Sequence, residues 1–295
     1  MVATLVGRSL LLASLLLGGQ GAMALDVAPL WNYSDPEGSE QRFRQALAGA
    51  SSDDMLELQT QIARTYGLRR RFAEARQILA GIEASIPRAA APAQVRYFLE
   101  LGRTYASATH KAEEITPEVR EKARTAYTAA FEKAKAARLD YLAIDALHMM
   151  VMVDSAPAEQ LAWNEKALAY LEASSQDEAK TWEGSLRNNV GYAYHLAGRY
   201  DEALAQYRLS LAAHERNGRA ANVRIAHWMI ARTLRFQGKA EEATRIQLRL
   251  EREYDAAGKP DPYVYEELEK LYRDAGDPAR AEAYAAKLRA SRPTP

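Results

Sequence analysis

Small and apolar residues recur at helical spacing along most of this chain, most clearly from Gly184 to Asn217. Gly191 and Tyr194 share one helical face, Gly198 supplies a turn, and Ala203, Tyr207 and Ser210 step down a second face. The pattern predicts a helix, a tight turn and a second helix packed back on the first. Small residues at Gly191 and Ala203 let the two backbones approach, while Tyr194 and Tyr207 fill the space toward the next pair.

The same spacing returns on both sides. Upstream, Ile62, Ala63, Tyr66, Phe72, Ala75, Leu79 and Pro87 form a first copy, with Arg69-Arg70-Arg71 where a glycine turn is expected. A second copy opens with Phe98, Leu101, Gly102 and Tyr105 and resumes at Ala123, Tyr127 and Ala130 after an insertion of about nine residues. Within the insertion, Thr116-Pro117-Glu118 supplies the cap, first-turn proline and acid that restart a helix. The third copy, Tyr141 to Ala173, is degenerate: Ile144, Leu147, Val151 and Ala167 fit, but His148 takes the small-residue place and would crowd the crossing. Two copies follow the reference stretch, through His227, Ile230, Ala231, Leu234, Gly238, Ala243 and Leu250, then Tyr265, Leu268, Tyr272, Gly276, Ala281, Ala285 and Leu288. One helix pair cannot bury its apolar face alone, so the copies must stack.

The small residue and tyrosine three apart, the turn glycine, and the small, aromatic and small residues of the second helix resemble the tetratricopeptide repeat. The resemblance covers about 240 of the 295 residues. It implies an all-α fold, a right-handed α-solenoid of about six antiparallel helix pairs, with repeats at about 56–88, 95–140, 141–173, 184–217, 224–257 and 262–295. It also implies a partner-binding scaffold, although architecture of this kind does not name a ligand.

Residues 1–24 read as a secretory signal: one positive charge at Arg8, an apolar run from Leu10 to Leu17, and a small-residue cleavage site Ala22-Met23-Ala24. The run is about half the ~20 residues a membrane-spanning helix needs, which argues against an N-terminal anchor. Cleavage after Ala24 would leave a lead-in and short helix over 25–55, ahead of the solenoid at 56–295. Ser39 is the expected cap of that helix, which carries Phe43, Ala46 and Leu47; Trp31 and Tyr33 are expected to pack on the first repeat. With no cysteine there is neither a disulfide framework nor a lipoprotein thiol, so a periplasmic or secreted protein is expected. Lys plus Arg equals Asp plus Glu at 39 each, which gives no support for nucleic acid as a partner.

No catalytic constellation stands out. The five histidines are scattered without metal-ligand spacing, so no metal or cofactor is expected; His227, in the place of the repeat's signature aromatic, reads as a core residue. Paired acids such as Asp53-Asp54, Glu113-Glu114 and Glu241-Glu242 fall at helix starts or loops and suit the helix dipole. Arg69-Arg70-Arg71 reads as a solvated turn, with an acidic or phosphate contact as the alternative. The chain is therefore expected to be a non-catalytic scaffold, with a self-assembling envelope protein, or less so an enzyme or small-ligand binder, as alternatives.

In these repeats the first helix of each pair lines a concave groove. That places Arg64, Arg103, Met149, Tyr192, Arg232 and Lys270 in one row and Met152, His195, Arg235 and Arg273 in the next, with Asp145, Asn188, Trp228 and Glu266 one turn earlier. Basic ends and an aromatic or thioether middle suggest an extended protein segment, acidic at its ends and apolar centrally, whose backbone Asn188 and Asn189 would grip. Ala279, Ala283, Ala286 and Ala290 form a small-residue stripe on the last helix, a candidate contact for a weak homodimer.

Overall fold

Several helices here begin where a proline or a side-chain acceptor meets the first unbonded amides. The computed structural model describes residues 25–291, so the expected leader at 1–24 lies outside the described residues. After a 3-10 turn at Ala28–Leu30, α1 (Pro36–Ala46) starts on Asp35, whose carboxylate accepts from the Gly38 amide at 3.0 Å. Ser39 is not the cap. It is buried inside α1, its hydroxyl against the Asn32 and Asp35 carbonyls at 3.0 Å each, because Asp35-Pro36 offers an earlier acceptor and a first-turn proline. Trp31 packs as expected, donating its indole N–H to Gln61 at 3.0 Å with Tyr33 stacked on it at 4.7 Å.

Six helix pairs follow among the described residues: α2 (Ser52–Leu68) with α3 (Phe72–Ile82), α4 (Ala91–Arg103) with α5 (Pro117–Ala136), and α6 (Asp140–Met149) with α7 (Pro157–Ala173); then, after the short α8 (Asp177–Lys180), α9 (Glu183–Leu196) with α10 (Tyr200–Arg216), α11 (Ala220–Phe236) with α12 (Ala240–Ala256), and α13 (Pro262–Asp274) with α14 (Pro278–Ser291). The fold is an all-α solenoid, and no described helix is long and apolar enough to cross a membrane. Buried apolar side chains form successive clusters, from Phe43, Leu58 and Ile62 at one end to Leu250, Leu268 and Tyr272 at the other. Each pair thus relies on its neighbours for burial.

The small residues do what close packing requires. A Cβ on Gly191 would stand 2.8 Å from the Tyr207 ring and 3.2 Å from the Ala203 carbonyl oxygen. On Gly102 it would stand 2.5 Å from the Tyr127 ring, and Tyr127 and Tyr207 are both wholly buried. Between α9 and α10, Gly198 turns the chain at φ 74°, a left-handed conformation that glycine adopts without a Cβ clash. Arg70 takes the same conformation, φ 61°, between α2 and α3. Its side chain fixes that turn to the insertion between α4 and α5, donating to the Thr109 carbonyl and to Glu114 at 2.7 Å. Arg69 pairs with Glu40, and Arg71 with Glu74 at 2.9 Å, so the arginine run is engaged within the chain.

The third pair departs from the repeat where His148 stands at the small-residue place. The imidazole is half-buried against Trp182, with ring centroids 5.3 Å apart, and α6 gives way to a 3-10 turn at Met150–Met152. Trp182, just before α9, is thereby drawn into the inner face of the solenoid.

Candidate functional site

The first helices of the six pairs carry a ladder of polar contacts, each joining one first helix to the next. Arg96 of α4 pairs with Glu57 of α2 at 2.7 Å, and Glu100 of α4 accepts from Arg64 of α2 at 3.4 Å and from Arg103 at 2.6 Å. Arg103 reaches on to Asp145 of α6 at 2.5 Å. Asn189 of α9 meets the His148 ring at 3.4 Å, and His195 of α9 meets the Thr233 hydroxyl of α11 at 2.9 Å. Arg235 of α11 then pairs with Glu267 of α13 at 2.8 Å, with Arg232 4.0 Å from the same carboxylate.

This ladder changes the charge picture. The basic groove residues read from the sequence do not stand free with their compensating acids elsewhere: Glu57, Glu100, Asp145, Glu267 and Glu269 are buried on the same face and neutralise them. Lys270 pairs with Glu266 at 2.6 Å, and Arg273 with Glu269. Burial alone would push the Asp145 carboxyl up, yet the Arg103 and Arg64 guanidiniums outweigh it and hold it below the usual range. Arg103 is held charged in the same way, its burial outweighed by Asp145 and Glu100. Burial lowers the pKa of His148 and of His195 below the usual imidazole value, which keeps both neutral near pH 7.

The remaining predicted residues fall into two groups. In the N-terminal half, Arg64, Arg103, Met149 and Met152 line an inner chamber of about 240 Å³, with Trp182 also in its wall. A larger chamber of about 790 Å³ adjoins it, sharing Arg64, Asp145 and Trp182 and lined further by Trp31, Tyr33 and Tyr141. The Arg64 guanidinium lies 5.6 Å from the Trp31 ring and 5.4 Å from the Tyr33 ring. In the C-terminal half, Arg232 lies 5.4 Å from the Trp228 ring, and Trp228 meets Tyr263 edge-on at 6.2 Å. Tyr192 (42%), Leu196 (57%) and Tyr263 (64%) remain exposed, leaving an apolar surface beside the ladder.

His195 and Asn189 do not reach outward. His195 is buried against Phe236 and Tyr200, and Asn189 is engaged by His148, which leaves Asn188 as the amide of that pair without a partner at its oxygen. Trp182, Glu100 and Glu267 were not among the residues read as groove-lining. Glu100 stands two places before Gly102 and Glu267 two before Glu269, which takes the small-residue place of the last repeat; the other copies carry no acid there, so the sequence holds no signal for them. Trp182 carries none either, since it enters through the irregular α8. The alanine stripe Ala279, Ala283, Ala286 and Ala290 is exposed along α14. Among the described residues, no group of three or more His, Cys, Asp or Glu side chains is placed to hold a metal ion.

Such a face, with side chains of successive helices presented along one groove, is that of a helical-repeat protein. The tetratricopeptide repeat family profile matches residues 182–252, so α9 to α12 are similar to tetratricopeptide repeats. Among curated protein sequences none matches. Among solved structures, the crystal structure of BtubC (BKLC) from P. vanneervenii is 15% identical, covering 89% of this chain and 93% of that one at a TM-score of 0.41. That superposition is too loose to transfer any contact between the two.

Proposed function

We propose that the chain is an exported, non-catalytic scaffold of the bacterial cell envelope that binds an extended segment of another protein along its concave groove. Tetratricopeptide repeats generally mediate protein interactions, and what supports the finer reading is the pair of adjoining chambers between first helices of the N-terminal half, together with exposed Tyr192, Leu196 and Tyr263 on first helices of the C-terminal half. A chain of open volume and apolar surface along successive helices suits an extended occupant. The internal pairing of Arg103, Arg235 and Arg273 removes the reason to expect acidic ends on that segment; an uncharged or apolar one fits the neutral groove better.

Selection of a displayed random-peptide library on the protein tests this reading. Selected peptides should bind at least ~10-fold more weakly to Tyr192→Ala combined with Trp228→Ala, the loss of about 1.4 kcal/mol expected for truncating central aromatic contacts. They should bind unchanged to Arg249→Ala on α12. Failure to select any peptide, or undiminished binding by the double variant, would refute the groove as the binding face. Export rests on the leader pattern, and mass spectrometry of the envelope fraction should find a mature N-terminus at Leu25.

A further inference from the structure

The larger chamber is walled by aromatic rings from distant parts of the chain. Trp31 and Tyr33 come from the segment before α1, while Tyr141 opens α6 and Trp182 precedes α9, the last two rings 5.6 Å apart. The Trp31 and Tyr33 rings are nearly parallel with centroids 4.7 Å apart, and the Arg64 guanidinium is almost equidistant from them at 5.6 and 5.4 Å. It therefore sits beside the stack, and it leaves uncovered the outer face of Tyr33, which is 58% exposed. The Tyr33 and Tyr141 hydroxyls have no hydrogen-bond partner among the described residues, and neither oxygen is sealed from solvent. Burial first, then nearby Asp145 and Tyr33, push the Tyr141 phenol above its ordinary value, a proximity that puts both hydroxyls at one chamber. The carboxylates in the same wall are engaged: Glu57 takes Arg96 at 2.7 Å, and Asp145 takes Arg103 at 2.5 Å.

We infer that the larger chamber receives a proline-rich stretch of the partner segment, in the polyproline II conformation. The inference rests on the groove as a segment-binding site and names the residue type it selects. An extended segment lying on helices meets no sheet edge, because the backbone groups of α2, α4 and α6 are spent within the helices. Each N–H it buries must find a side-chain acceptor or stay unpaired at a cost. Here the wall offers open hydroxyl donors, whereas its acids are already held by arginines. Proline has no N–H to satisfy, and its ring packs on aromatic faces. Polyproline II makes no internal hydrogen bonds, so its carbonyls point outward, where the Tyr33 and Tyr141 hydroxyls donate to them. An alanine or leucine stretch brings one N–H per residue that lacks such a match. An acidic stretch faces Glu57 and Asp145, and a basic one faces Arg64 and Arg96. A glycan also stacks on aromatic rings, but each of its hydroxyls has a proton to place, and the carboxylates that would take it are engaged.

The test uses three probes on the intact protein: acetylated hexaproline amide, its hexaalanine counterpart and chitohexaose. The readout is the indole N–H resonances of Trp31 and Trp182, two of the four in the chain, assigned through Trp31→Phe and Trp182→Phe. Hexaproline should shift both saturably at millimolar concentration or below, and hexaalanine should bind at least ~10-fold more weakly. Tyr33→Ala, at an exposed position, and Tyr141→Phe, which removes one oxygen, should each weaken hexaproline by ~3-fold or more with helicity unchanged. Resonances unmoved by hexaproline would overturn the assignment, as would equal binding of hexaalanine or unchanged affinity in either tyrosine variant. Chitohexaose binding as tightly as hexaproline would overturn it in favour of a glycan. Proline-free library peptides that shift the Trp182 indole at lower concentration than hexaproline would overturn it while leaving the groove reading intact. Failure to select any peptide, with hexaproline also silent, would refute both.

Discussion

Gly102→Ala places a methyl group where α4 crosses α5, and the structure determines its consequence. The added Cβ would stand 2.5, 2.7 and 2.8 Å from three atoms of the Tyr127 ring. Carbon atoms settle at about 3.5–4.0 Å, so the ring must retreat by roughly 1 Å. Tyr127 has no exposed surface, and its hydroxyl is tied to the Ala106 carbonyl at 2.5 Å, so it has nowhere to swing. Overpacking of this kind costs about 1–3 kcal/mol, against a gain of about 0.8–1.0 kcal/mol from replacing a helical glycine by alanine. The expected net loss is up to about 2 kcal/mol. Gly81→Ala on α3 is the matched control, because its Cβ would meet nothing within 4 Å, and it should stabilise by up to about 1 kcal/mol. Urea unfolding followed by far-UV circular dichroism reads both variants, with the slope compared as well as the midpoint because helix pairs unfold with their neighbours. If Gly102→Ala showed the same gain as Gly81→Ala, close approach of α4 and α5 would not be the reason for the glycine.

Two further perturbations examine the groove and its titration. Arg103→Met should destabilise by about 3–5 kcal/mol in the same assay, because it leaves Glu100 and Asp145 buried without their main partner. Adding Glu100→Gln and Asp145→Asn should restore much of that loss; no recovery would mean that the guanidinium acts through packing alone. All five histidines have pKa values lowered below the usual 6.5, chiefly by burial. The unfolded chain therefore binds more protons than the folded one as pH falls below about 6.5, so this contribution is neutral above that pH and destabilising below it. The urea midpoint should drop between about pH 7 and pH 5.5 with proton uptake on unfolding, and a flat or rising midpoint would contradict the burial of these rings.

Much of the solenoid was legible in the sequence because its packing rule is local. A small residue must stand where two helices cross, and a bulky aromatic must fill the adjoining gap. Gly102 with Tyr127 and Gly191 with Tyr207 show the rule as contacts under 3 Å if a Cβ were present. The rule misleads at Ser39, where several residues that favour helix starts lie close together and only the chain's entry from the Trp31 segment selects Asp35. It weakens at His148, where the structure answers with a 3-10 turn and an extra short helix that the repeat pattern does not contain.

Which residues share the first-helix face was legible in the sequence but their pairing was not, and the reason is physical. Helical periodicity tells which residues share a face of one helix; whether an arginine on that face is free depends on the register between neighbouring helices, which no single repeat encodes. Arg103 and Asp145 lie 42 positions apart and meet only because α4 and α6 stand side by side. Because an acid on one first helix lies within reach of an arginine on the next, a stripe that looks basic along the sequence becomes neutral once stacked. The consequence reaches recognition: with its long-range charges cancelled in pairs, the groove has little with which to steer an acidic partner, and selectivity falls to short-range features. Those features are the exposed apolar surface of Tyr192, Leu196 and Tyr263 and the shape of the adjoining chambers. Binding to such a groove should therefore depend weakly on salt, because only exposed and unpaired charge is screened appreciably at physiological ionic strength. A selected peptide whose affinity fell steeply with added salt would show instead that the arginines leave their internal partners when the groove is filled.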